Sequence, residues 1–210
     1  MNDNINGLIK EDASLHKDCN LCSESSLKVG QRTDYGAVIV FRIGSSAEDS
    51  WFATLSPKTG GDPEQDFTIQ LMPQAHLTHF CQVSNYPKLA ENYGTAFSKV
   101  CNAMAGLMAA ENKGFKVTSE SKEDAVSMAT YGKCTNWKEK KEHLHIKVFP
   151  FRGDIGQPYT VDSSFGRKEV HKDSGTGEEF VKMKPVRKVM IGKERFEKLA
   201  NQLISLLNIK

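Results

Sequence analysis

Hydrophobic and polar positions alternate most clearly in residues 142–150, EHLHIKVFP, where Leu144, Ile146 and Val148 are interleaved with His143, His145 and Lys147. Side chains of a strand point to opposite faces with period two, so the aliphatic trio can be buried while the two histidines and the lysine share the other face. The stretches YGAVIVFRIG and SWFATLSP are rich in β-branched and aromatic residues and flank the polar turn SSAEDS, which predicts a hairpin. DFTIQLMP reads as a further strand with Phe67, Ile69 and Leu71 on one side. From Pro87 to Lys113 the period changes: Leu89, Tyr93, Phe97, Val100, Met104, Leu107 and Met108 recur at steps of three and four, the stripe of an amphipathic helix, with Gly114 placed to cap its end. Its methionines and aromatics are what any helix packed on a sheet needs.

Beyond this helix the pattern weakens. FKVTSE reads as a short strand, residues 120–131 as a short helix or loop, and KCTNWKEKKE as a charged approach to the strand at 143–149. Past Pro150 two further strands are expected on either side of HKDSGTGEEF, a loop tip by its Gly, Ser and Asp content. A last helix is expected from Lys193, with Phe196, Leu199, Leu203, Leu206 and Leu207 on one face, and that face is a natural surface for association. Residues 181–198 hold seven lysines and arginines against two glutamates. This run could meet an anionic partner, although a solvated strand edge and helix start explain it more simply.

Composition changes the picture little. With 210 residues the chain is long enough for one domain with a sizeable core and an appendage, and its formal charge of +2 is too small to imply nucleic acid or a membrane surface as partner. No apolar run reaches the ~20 residues of a membrane span, and the polar start MNDNINGLIKEDASL is unlike a signal peptide, so a cytoplasmic protein is expected. The five cysteines are an odd, scattered set, which argues against a secreted disulfide framework. Cys81, Cys101 and Cys134 are expected simply to pack.

Cys19 and Cys22 form the exception, since two intervening residues let both thiolates converge on one ion, or alternatively form a redox pair. Two imidazoles would complete a Cys2His2 tetrahedron. His76, just past the strand ending at Pro73, and His143, at the start of another, are candidates; His79 and His16 compete with them on spacing alone.

Four features in order resemble the histidine-triad superfamily of nucleotide hydrolases, nucleotidyltransferases and galactose-1-phosphate uridylyltransferases. They are CNLC, then DFTIQLMPQAH, similar to the family's strand ending in Pro-Lys-x-His, then the long helix, and then HLHIKVFP, similar to His-φ-His-φ-His-φ-φ. The resemblance spans about residues 15–152, leaving 153–210 as a C-terminal extension of hairpin and amphipathic helix. It implies an α+β fold, an antiparallel sheet with helices on one face, and a homodimer. It also implies a structural zinc on Cys19, Cys22, His76 and His143, favouring His76 over His79. His145 matches the central histidine, the nucleophile that attacks an α-phosphorus, so a nucleotide or nucleoside phosphate is the implied ligand. The chain departs from the pattern in three places. Lys147 stands where a third histidine, or a glutamine in the uridylyltransferase branch, is usual, and is expected to serve the phosphate by its charge. NWKEKKE replaces a Gly-rich approach, with Lys138, Lys140 or Lys141 as candidate anion binders. No acidic residue for the ribose stands near Thr54 and Ser56. The competing expectation is a non-catalytic, zinc-stabilised module that binds a nucleotide or a partner.

Overall fold

The computed structural model describes residues 19–111, 126–131, 143–150, 167–172, 174–184 and 188–209. The expectations for His16, Gly114, FKVTSE, Cys134 and Lys138, Lys140 and Lys141 fall outside them. Strand β1 (Val38–Ile43) pairs antiparallel with β2 (Trp51–Leu55), as the hairpin pattern predicts, through a bulge between Ile39 and Phe41. The connecting turn is closed by Asp49, whose carboxylate accepts the amides of Ser45 and Ser46 at 2.7 Å each. Gly44 enters it at φ +94, and a Cβ there would stand 2.6 Å from the Asp49 carbonyl oxygen, so only glycine fits.

A two-residue strand β3 (Lys58–Thr59) follows, then β4 (Ile69–Pro73), β5 (Val126–Tyr131) and β6 (His145–Pro150). The five-stranded antiparallel sheet runs β1-β2-β4-β6-β5. Residues 126–131 are thus an edge strand, which corrects the helix or loop expected there. VSMATY carries no contrast between its two sides, so only pairing along β6 defines it as a strand.

One face of the sheet is apolar. Val38, Val40, Ala53, Leu55, Ile69, Leu71, Ile146 and Val148 are buried there beneath the long helix, in one core with its Leu89, Ala96, Val100, Met104, Leu107 and Met108. That helix spans Pro87–Glu111, preceded by a 3-10 helix at Phe80–Asn85, and is denoted α2. Tyr93 and Phe97 lie at the margin of the core and Ala96 takes the centre. Asn92 donates to the Asp49 carbonyl at 2.7 Å and Trp51 donates its indole N–H to the Leu89 carbonyl at 2.8 Å, fixing the helix against the β1–β2 turn.

The C-terminal hairpin β7 (Arg167–Lys172) and β8 (Glu179–Lys184) forms a separate pair. Strand β9 (Val189–Met190) then pairs with β3, and helix α3 (Lys193–Leu207) returns to the main core. Its Phe196, Leu199, Ala200, Leu203 and Leu207 are buried in the same cluster as the sheet, whereas Leu206 is 42% exposed. The stripe proposed for association is therefore used inside the chain, and Ala200 takes the place expected of Leu206. No helix among the described residues is long and apolar enough to cross a membrane.

Candidate metal centre and the polar face of the sheet

The face of the sheet opposite the helices divides in two. At one end Ile39, Phe52 and Met72 form a small buried cluster, covered by Leu21, Leu27 and Val29 of the segment that follows Cys19. Arg42 holds this segment down: its guanidinium donates to the Ser25 carbonyl at 2.5 Å, the Leu27 carbonyl at 2.7 Å and Gln74 Oε1 at 3.1 Å. Burial lowers the Arg42 pKa. At the other end stand Thr54, Gln70 and Lys147, consecutive partners across β2, β4 and β6, with His145 two residues before Lys147.

Cys19 is the N-terminal flank of a five-residue helix, α1 (Asn20–Glu24), and Cys22 lies within its single turn, so both thiols point to one place. His76 and His143 are brought beside them by the backbone. Leu144 donates to the Leu77 carbonyl at 2.6 Å, joining the segment after β4 to the start of β6. The four donor atoms lie within 4.8 Å of one another and all four residues are buried. Cys22 Sγ is 3.2 Å from His76 Nδ1 and 3.5 Å from His143 Nδ1, and Cys19 Sγ is 3.5 Å from His143 Nδ1. An ion bonded tetrahedrally at ~2.3 Å to sulfur and ~2.0 Å to nitrogen puts those atoms ~3.5 Å apart, so these three sulfur–nitrogen spacings are close to those of a coordination shell.

Protonation fits as well. His143 Nε2 lies 2.9 Å from the Pro73 carbonyl, which can only accept, so Nε2 carries the proton and Nδ1 turns its lone pair to the thiols. The Cys19 thiol is held far below the usual thiol range, mainly by its hydrogen bond with the Cys22 thiol, against burial and with help from His143 and His76. A set of two thiols and two imidazoles with these spacings can bind a metal ion. His79 is excluded from it: its Nδ1 lies 2.8 Å from Thr78 Oγ1, at the start of the 3-10 helix. Of the other cysteines, Cys81 is exposed, against the expectation that it packs, and Cys101 is half-buried. The exposure follows from its place on the outer side of the 3-10 helix.

His145 is anchored by a similar device. Its Nδ1 lies 2.9 Å from the His143 carbonyl, which makes Nδ1 the protonated nitrogen and leaves the lone pair on Nε2. Burial lowers its pKa, the bond to the His143 carbonyl opposes this, and the charges of Lys147 and Lys188 lower it further, which favours the neutral ring. Lys147 is only 4% exposed. Beside this row opens a cleft of about 440 Å3 lined by Cys19, Glu24, Tyr35, Ser56, Lys58, Gln70 and Lys188, among others. Burial, with the nearby charges of Asp34 and Cys19, raises the Glu24 carboxyl to about 7.

The sequence-derived residues Cys19, Cys22, His76 and His143 thus converge, and His145 and Lys147 lie on the face that adjoins them. Sequence reasoning missed Arg42, Gln70, Glu24, Lys58 and Lys188. Only Lys188 had a signal, the basic run of 181–198. No protein-family model, curated protein or solved structure matches the chain.

Proposed function

We propose that the chain is a histidine-triad-like nucleotide hydrolase or nucleotidyltransferase, acting at an α-phosphate through a nucleotidyl-histidine on His145. The observation that supports it most is the hydrogen bond from His145 Nδ1 to the His143 carbonyl at 2.9 Å, because it prepares a neutral imidazole with its lone pair on Nε2. Zinc is the metal that best suits two thiolates and two imidazoles in a closed tetrahedron, and four protein ligands on it leave no position for water or substrate. Its role is structural: when bound it fixes His143, and with it the carbonyl that orients His145.

In the first step Nε2 of His145 attacks the α-phosphorus, a P–N bond forms, and the bond to the leaving group breaks with its electron pair. In the second, water, which gives up a proton to solvent, or another phosphate attacks the same phosphorus and the electron pair of the P–N bond returns to Nε2. Alternate residues of a strand lie ~6.5–7 Å apart, a span a phosphate can bridge, so the Lys147 ammonium on the same face offsets charge on the non-bridging oxygens.

The test incubates metal-loaded protein with labelled dinucleoside polyphosphates, nucleotide sugars and adenosine phosphoramidate and traps an acid-labile phosphohistidine. His145→Ala is expected to abolish both product and adduct. Lys147→Ala is expected to lose on the order of 2–4 kcal/mol of transition-state stabilisation, and Lys147→Arg much less. The burial of Lys147, a residue that supplies charge more readily than a proton, favours a second reading, a binding module without turnover. That reading gains if nucleoside monophosphates raise the melting temperature while no substrate is turned over and no adduct forms.

A further inference from the structure

The basic run at 181–198 acquires a place in the fold through β9. Its two residues pair with β3, Lys58 opposite Met190 and Thr59 opposite Val189, and the Ile191 amide donates to the Pro57 carbonyl at 3.0 Å. Ile191 is 4% exposed and anchors the segment from below. Lys188, immediately before β9, is thereby set with Lys58 on the wall of the 440 Å3 cleft. The cleft reaches the catalytic face through Gln70, which lines it and stands opposite Lys147 in register. Its volume lies within the ~300–1,000 Å3 usual for small-molecule sites.

Two further features bear on what leaves. Lys147 stands where the resemblance places a third histidine, and a lysine head is a point charge without the proton-passing ring of an imidazole, so the position suits a leaving group that departs as an anion. An amine or an alcohol needs a proton to depart; an ionised phosphate does not. The two lysines of the cleft are point charges where such an anion would emerge.

We infer that Lys58 and Lys188 form a clamp for the departing phosphates, so that this site favours nucleoside polyphosphates over phosphoramidates and esters with uncharged leaving groups. The inference rests on the nucleotidyl-histidine reading for its chemistry. His145 Nε2 forms the P–N bond, the bond from the α-phosphorus to the bridging oxygen breaks, and the electron pair stays on that oxygen as part of the departing phosphate. Its negative charge is met by Lys58 and Lys188. The C-terminal segment, which delivers Lys188, is on this account a specificity element of the active site.

The experiment compares kcat/KM of the full chain for diadenosine tetraphosphate and for adenosine phosphoramidate. Wild type is expected to prefer the polyphosphate, and the ratio of the two kcat/KM values is expected to fall about tenfold in Lys188→Ala and in Lys58→Ala, with recovery in Lys188→Arg. A ratio unchanged in both alanine variants overturns the clamp. A separate arm measures binding of inorganic triphosphate by calorimetry, which needs no turnover. Binding about tenfold weaker in Lys188→Ala supports the clamp even if no adduct forms on His145, and the nucleotidyl-histidine reading then fails alone. Equal binding by wild type and both alanine variants overturns the clamp whatever the outcome at His145.

Discussion

Two backbone carbonyls set the chemistry of two histidines. Pro73 holds the proton of His143 on Nε2 and His143 holds that of His145 on Nδ1, so two imidazoles two residues apart at the start of β6 present opposite nitrogens, one to the thiols and one to the face of the sheet. A carboxylate does comparable work at the β1–β2 turn. Asp49 accepts the amides of Ser45 and Ser46, and these two bonds, with smaller help from the Ser50 and Ser45 hydroxyls, hold its pKa well below the ordinary 3.8. A carboxyl whose folded pKa is depressed adds stability that is present above the unfolded pKa and lost as pH falls through the folded one. Asp49→Asn is therefore expected to be less stable than wild type at neutral pH, with the difference shrinking as the solution is acidified below about 3.8. Urea titrations of both proteins at a series of pH values test this; a gap independent of pH would show that the amide replaces the carboxylate only through lost geometry.

At the scale of elements, legibility follows burial contrast. β1, β2, β4 and β6 each put aliphatic residues on the helix-covered face, and that period is visible in one dimension. β5 has no such contrast. The β3–β9 ladder is only two residues long on each side, too short to carry any period, so the position of Lys188 in one cleft with Lys58 was invisible while its charge was plain. The donor set of the metal centre was legible in the spacing of CNLC and in the histidines at two strand ends, but spacing left His79 open, and it is the Leu144 to Leu77 hydrogen bond, with that of His143 to the Pro73 carbonyl, that sets His76 against His143. Helix α3 shows the limit of a helical stripe: it marks a buried face without saying where that face is buried. Leu203 is fully buried in the core shared with the sheet and Leu206 is exposed. Leu203→Ala is expected to cost ~2–5 kcal/mol for lost burial and the cavity left behind, and Leu206→Ala within about 0.5 kcal/mol, read from denaturant midpoints. Equal losses at both positions would place the helix elsewhere than in this core.

For the whole molecule, the proposed metal is a tie between parts far apart in the chain. Cys19 and His143 are 124 residues apart in sequence, and the segment that carries the thiols covers Ile39, Phe52 and Met72 with Leu21, Leu27 and Val29, is held by Arg42, and exchanges backbone bonds with Ile39 through Gly30 and Gln31. A chain closed over so long a loop gains stability from the closure itself, and a ligand that binds only the folded state adds its binding free energy to folding. At a metal concentration of 1,000 Kd this amounts to ~4.1 kcal/mol, which for a chain of this size corresponds to ~8–16 °C in melting temperature. Purified protein is expected to hold about one zinc per chain, because the cage has four donors and one centre. Chelation should lower the melting temperature by that order, and Cys22→Ser or His143→Ala should lower metal content and stability together. Cys81→Ser, at an exposed cysteine outside the cage, should change neither. His143→Ala should also cost activity beyond its effect on folding, since the loss of the tie loosens the carbonyl that orients His145. Metal analysis beside thermal melts of the four proteins decides the matter: full stability after exhaustive chelation would mean that the thiols and imidazoles hold this face together by hydrogen bonds alone.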